Sequence, residues 1–370
     1  PTGRNMSRHL DHIASGSVAF DFNRSGGNIE NFAVTSEGGT VIRPLHTAPW
    51  ASEAATLSDD IDLVERQLSG DFFCAPFGVN QVGPIHGPTA NRLWQPAGRV
   101  DSVDGAARHT YLLEDRVLGA AVTKTMTVRP GHPMLYQSHR FEGGSGHLPV
   151  AHHAMIRVPG GAQLSFSKKQ FGITPKAPPE SDPRRGFSML AYPQRFERLD
   201  AVWTAADQSV DASFYPFSKR HEDIVVMAEA KGQEIGWSAA LADQDGFLFF
   251  AVKDAAALPE TLLWMSNGGR NYAPWSGRHT CVLGIEEAAT ACHASGAFTS
   301  SDTKSPSGLV QGLVLKDSTI REIRYGFGAI PAPPHWREIA DIRVTVSDLT
   351  LVDVSGAEIT LPFDGRHFGL

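Results

Sequence analysis

Glycine and proline interrupt this chain at short intervals, and that rhythm limits what it can fold into. Its 370 residues include 36 Gly and 24 Pro, which leave stretches long enough for strands and too short for long helices. Residues 17–22 read as an early strand. Gly26-Gly27 turns it toward 29–34, and Gly38-Gly39 makes a second hairpin-type turn before 41–43. From Ala107 onward the alternation is plainer, with strands at 109–113, 121–128 and 135–141, the last two joined at Pro130-Gly131. In the middle one, Thr123, Thr125 and Thr127 share a face opposite Val122, Met126 and Val128, as a half-buried antiparallel sheet requires. Further strands are expected at 162–166, 202–205, 212–215, 224–228, 236–241, 247–252, 261–264, 320–325, 342–347 and 349–354.

Helical signals are few. Ser58, Asp59 and Asp60 precede Ile61, Val64 and Leu68 on one helical face, with Gly70 behind, which predicts one or two capped turns. A second short helix is expected over 288–292, and loops over 175–185 and 299–307. With no fixed-period repeat and no linker, the expectation is an all-β chain: one large antiparallel β-sandwich domain over residues 1–370, with few short helices.

Composition narrows the function. Hydrophobic residues at 41% are ample for a large core. A net charge of −7, a pI near 6.1 and no Lys/Arg block argue against nucleic acid or an anionic membrane as partner. The most apolar run, 246–252, is too short to span a bilayer, and residues 1–8 are polar without a signal-type core. Cys74, Cys281 and Cys292 form no CxxC pair, so neither a disulfide framework nor a thiolate zinc site is expected. A cytoplasmic location fits these features.

Three stretches gather ionisable groups beside turn residues. In one, an apolar run over 281–285 leads into Glu286 and Glu287. Neighbours on a strand point to opposite faces, so one carboxylate can enter a pocket while the other stays solvated; the plain alternative is a strand ending in a charged turn. In another, His86 lies between Pro84 and Gly87-Pro88, ahead of Trp94. The prolines stiffen the loop and the glycine lets its backbone approach a ligand. The third pairs His152 and His153 inside the apolar stretch 148–156, where one imidazole must face inward. The three imidazoles could be metal ligands, but adjacent strand residues diverge and there is no HxH or HxxxH spacing, so no metal is expected. Trp264, Asn267, Arg270, Tyr272 and Trp275 supply the aromatic faces, amide and guanidinium that bind sugars, although both Trp residues read equally well as core anchors. Arg43, Arg92, Arg157 and Arg270 are candidates for forked bonds to a sugar phosphate or acid.

Taken together, His86-Gly87-Pro88 with Trp94, His152-His153-Ala154-Met155-Ile156 and Leu283-Gly284-Ile285-Glu286 resemble the motifs of the aldose 1-epimerase, or galactose mutarotase-like, family in order and spacing. The resemblance implies a β-supersandwich, with Glu286 as general base, His153 as general acid and His86 binding the sugar. Arg92, Trp94, His152, Asn267, Arg270 and Trp275 complete the expected substrate-binding set. It also implies a small sugar or sugar derivative as partner and no metal, nucleotide or redox cofactor; neither a phosphate-loop nor a Rossmann fingerprint occurs. The chain departs from the family's pattern at His152 (usually Asn), Glu287 (often Pro) and Pro88-Thr89 (commonly Phe-Ala). Two alternatives stay open on this scaffold. One is a carbohydrate-binding or regulatory protein. The other is a lyase or hydrolase, whose usual pair of opposed carboxylates has one evident member in the sequence.

Overall fold

Strands whose two faces are both covered lose the polar alternation of a half-exposed sheet, and runs such as Phe247–Asp254 and Glu260–Asn267 are almost wholly buried. In the computed structural model, which describes residues 9–79, 83–101, 105–290 and 312–370, these runs lie at the centre of two large sheets. One has seven strands. It runs from Arg195–Phe196 and Lys169–Ile173 through His221–Glu229, Glu260–Asn267, Val282–Ala289 and Val150–Arg157 to Phe73–Cys74. The other has nine, with Phe247–Asp254, Ile320–Pro331 and Met134–Glu142 in the middle and Trp94–Asp101 at one edge. Neighbours pair antiparallel in both. The all-β sandwich is therefore what the chain forms, with one α-helical turn, Leu63–Arg66, among the described residues.

Period-two alternation divides the seven-stranded sheet between two cores. Ala154, Ile156, Leu263, Leu283 and Ile285 face the nine-stranded sheet and join Leu135, Phe141, Phe249 and Phe327 in the main core. Met155, Val226, Leu262 and Trp264 face the other way and pack with Trp50, Phe72 and Trp275. A third core lies between the outer face of the nine-stranded sheet and a C-terminal sheet formed by Ile339–Val344, Asp348–Asp353 and Glu358–Pro362.

Where expectation and structure differ, the reasons are local. The turn predicted around 61–68 is a single one, Leu63–Arg66; its own N-cap residue, Asp62, makes no side-chain cap, and the Val64 N–H donates instead to Asn91 Oδ1 at 3.0 Å. Ala288 and Ala289 extend the Val282–Ala289 strand instead of opening a helix, because both stay paired to Val150–Arg157, and Thr290 beyond them is irregular, its N–H held by Glu260 Oε2 at 2.9 Å; Ala291 and Cys292 of that expected helix and the 299–307 loop lie outside the described residues. The strand Trp94–Asp101 was hidden by Pro96 and Gly98, which interrupt its pattern. It forms the sheet edge and carries an irregularity between those residues, the setting in which proline is tolerated in a sheet. Cys74 and Cys281 are free thiols. No helix among the described residues is long and apolar enough to cross a membrane.

Candidate active site

Glu286 and His153 stand directly opposite each other on paired strands, Val282–Ala289 and Val150–Arg157. Both project from the face that turns away from the nine-stranded sheet, into a cavity of about 390 Å³. His153 Nε2 lies 3.2 Å from Glu286 Oε1, and both side chains are about 95% buried or more. Burial in a medium that disfavours charge pushes the Glu286 carboxyl well above its usual range. The same burial, helped by the neighbouring His86, pulls the His153 imidazole well below its own. Each group thus resists being charged alone, and the pair is most stable holding one proton between them.

Gly284 makes room for this arrangement. It lies two residues before Glu286 on the same face and opposite Trp264. A Cβ there would stand 3.0 Å from Glu286 Oε1 and 3.1 Å from Trp264 Cβ. Gly284→Ala should therefore displace the carboxylate by a few tenths of an ångström from its place against His153. A crystal structure of the variant beside a melting curve checks this, and an unmoved carboxylate would refute it.

His86 reaches the cavity on a loop strapped down at several points. Asn91 Nδ2 donates to the carbonyls of Ile85 (2.7 Å) and Gly87 (2.8 Å), while Asp62 accepts from the Ile85 N–H at 2.7 Å. His86 adopts φ 63° and Gly87 φ 73°. At Gly87 a Cβ would come within 2.2 Å of the Ala75 carbonyl oxygen, so the glycine of this motif is required by close backbone approach. Burial and the charge of Arg270 push the His86 pKa down to about 4. The Gly78 N–H points at its Nδ1 at 3.3 Å, so the neutral ring carries its proton on Nε2 and can donate from there.

The aromatic wall comes from the stretch singled out for sugar binding. Trp264 and Trp275 meet edge to face with centroids 5.8 Å apart, and both line the cavity. Each is also at least 94% buried, so the choice between core anchor and cavity wall was no choice: both do both. Arg270 lies over the Trp275 ring at 4.4 Å. Its Nε is 3.4 Å from Glu222 Oε1 and 3.5 Å from Glu180 Oε1. The Trp264 indole N–H and the Ser266 hydroxyl both donate to Glu222. The loop at 175–185 is more than a surface excursion, because Pro175, Ala177 and Pro179 complete one wall.

Four expected binding residues are not brought to the cavity. Arg92 is half-exposed and paired with Asp115 at 3.2 Å. Trp94 is buried in the main core, its indole N–H bonded to the Thr89 carbonyl at 3.0 Å. His152, on the opposite face from His153, points into the sandwich, where it stacks on Tyr325 with ring centroids 4.0 Å apart. Asn267 holds backbone, donating to the Ser218 carbonyl and accepting from the Cys281 N–H. Conversely, Glu65 lines the cavity and Glu222 stands behind Trp264, neither of them foreseen. The signal for Glu222 was available: the strand begins at His221, not Ile224, which carries its alternation through Glu222 onto the face of Ile224 and Val226.

Glu287 departs most from expectation. It does point away from Glu286, but it is fully buried instead of solvated. Between the two sheets it meets the Lys253 ammonium, the Ser238 hydroxyl and the Thr261 hydroxyl. Lys253 also lies 3.0 Å from Glu229. Burial works against the Lys253 charge, yet Glu287 and Glu229 together outweigh it and hold its pKa above the usual lysine value.

No protein-family model matches the chain, and no curated protein matches it. Solved structures do resemble it. A protein from Escherichia coli K12 named provisionally as an aldose 1-epimerase superimposes with a TM-score of 0.55 at 13% identity, over 88% of this chain and 100% of that one. An aldose epimerase homologue from C. elegans gives 0.53 at 12%, over 88% and 100%, and a galactose mutarotase related enzyme from Lactobacillus acidophilus 0.52 at 10%, over 88% and 98%. The likeness is one of fold. At such identities the site itself has to carry any functional reading.

Proposed function

We propose that this protein is a cofactor-independent mutarotase or epimerase that interconverts sugar anomers by acid/base ring opening at Glu286 and His153. The observation that carries this reading is the 3.2 Å approach of His153 Nε2 to Glu286 Oε1 at the wall of the cavity.

Opening a cyclic hemiacetal takes a proton from the anomeric hydroxyl, delivers one to the ring oxygen and breaks the bond between the anomeric carbon and that oxygen. A pair holding one proton can do both. From the ion-paired form, Glu286 accepts the hydroxyl proton as His153 donates to the ring oxygen, which leaves the neutral form with an open-chain aldehyde. Rotation about the bond next to the aldehyde carbon turns over its face. Reclosure runs the transfers backwards and restores the ion pair. The two proton arrangements of the pair are thus the two halves of one cycle, and no net proton is consumed. His86, neutral with its proton on Nε2, is suited to donate to a sugar oxygen.

The pH dependence follows. Activity needs one proton on the pair, lost on the acid side when His153 takes up a second and on the alkaline side when Glu286 gives up the only one. Because burial lowers the first affinity well below 6.5 and raises the second well above 4.5, kcat/KM should fall on the alkaline side only well above the ordinary carboxylate range. Its acid limb should lie well below the ordinary imidazole range. An acid limb centred near 6.5 would contradict the shared-proton scheme. Polarimetry or exchange NMR on a panel of aldoses tests the activity itself. Equilibration faster than in buffer supports it; a binding protein would leave the exchange rate unchanged, and reducing ends released from an oligosaccharide would indicate a hydrolase instead.

A further inference from the structure

The lining of the cavity bears on which sugar enters it. Arg270 is the one permanently cationic side chain among the described lining residues, and its charge is already answered by Glu222 and Glu180. Arg43 and Arg157 line a separate surface hollow, and Arg92 is paired with Asp115. Two further carboxyls, Glu65 and Glu286, stand in the cavity wall. A phosphate or carboxylate on the substrate would therefore meet no uncommitted cation in the described wall and would have to give up its water without a charged partner in return.

The rest of the wall is mostly apolar: Val64, Leu68, Phe77, Ile85, Ile224 and Leu262 face the space beside the two tryptophans. A pyranose with a hydroxyl on nearly every carbon would press several of them against aliphatic groups that offer no hydrogen bond. Each such hydroxyl is disfavoured relative to a hydrogen or methyl at the same place, by about 10- to 100-fold. The volume of about 390 Å³ is near the lower end for small-ligand pockets. It suits a monosaccharide with at most a modest substituent.

Resting on the mutarotase reading, we infer that the substrate is an uncharged deoxy sugar, one whose hydroxyls are replaced by hydrogen or methyl where the ring meets the Ile224–Leu262 wall. The test compares matched pairs on the full chain: glucose with 2-deoxyglucose and 6-deoxyglucose, galactose with 6-deoxygalactose, and glucose with glucose 6-phosphate and glucuronate. Anomer exchange and ligand binding are read separately, by exchange NMR and by saturation-transfer NMR. At least one deoxy sugar should exceed its parent about tenfold or more in kcat/KM and in affinity, with the phosphate and the uronate below both. Ile224→Ser should narrow that ratio by improving the parent hexose. Equal or better handling of the parents, or a preference for either anion, overturns the inference. If no sugar exchanges faster but the deoxy sugars still bind best, the substrate class stands and the catalytic reading falls.

Discussion

Replacing Glu286 by Gln is expected to lower the rate of anomer interconversion roughly 10²- to 10⁴-fold, the range that a positioned proton-transfer group contributes, with the fold intact. Gln has nearly the same shape, and its amide N–H can still meet His153 Nε2, which stands 3.2 Å from the carboxylate oxygen in the native site. What it lacks is a proton that can leave and return. Because the carboxyl is buried and resists ionisation, a neutral amide in its place should leave the melting temperature near that of the native protein, or slightly above it. Sugar affinity should change little, so the loss appears in kcat and not in KM. Wild-type rates in this variant would remove Glu286 from the chemistry.

Its neighbour should behave in the opposite way. Glu287→Leu leaves the buried Lys253 ammonium with Glu229 alone as carboxylate partner and strips an acceptor from the Ser238 and Thr261 hydroxyls. Breaking one side of a buried pair costs about 3–5 kcal/mol, most of it from the charge left behind. Removing both sides, as in Glu287→Leu with Lys253→Met, should recover much of that loss, since well-packed apolar groups often replace a buried ion pair at little cost. Urea unfolding of the two single variants and the double one measures the coupling. A single variant within about 1 kcal/mol of the native protein would show that the pair does not hold the sheets together.

Much of this architecture is legible in the sequence because the signals are local. Strands Ala121–Val128 and Ala162–Phe166 fall where alternation alone puts them, and the same rule sends His152 and His153, or Glu286 and Glu287, to opposite faces. The destination of each face is not local. A charged residue is ordinarily exposed, so Glu287 reads as solvated until Lys253, on the facing sheet, is seen beside it. The one hint was a lysine inside the apolar run Phe247–Asp254. Likewise nothing near Arg270 says that Glu180 and Glu222, distant in sequence, already answer its charge. Which polar groups are free to meet a ligand and which are already committed is decided by the three-dimensional pairing of residues that the chain order keeps apart.

Two adjacent glutamates create an ambiguity that the fold has to resolve. A strand reading Leu-Gly-Ile-Glu-Glu-Ala-Ala could slide by one position against its neighbours and still present a carboxylate to the cavity, with Glu287 standing where Glu286 belongs. Hydrogen bonding along the ladder would barely register the error. Lys253 does: it meets Glu287 and Glu229 at a fixed depth between the sheets, and a slipped strand would set an aliphatic or methyl side chain against its ammonium. The buried ion pair therefore works as an alignment key on the core side of the strand, and Gly284 works as its counterpart on the cavity side, since a slipped strand would press Ile285 against Trp264 where only a glycine fits.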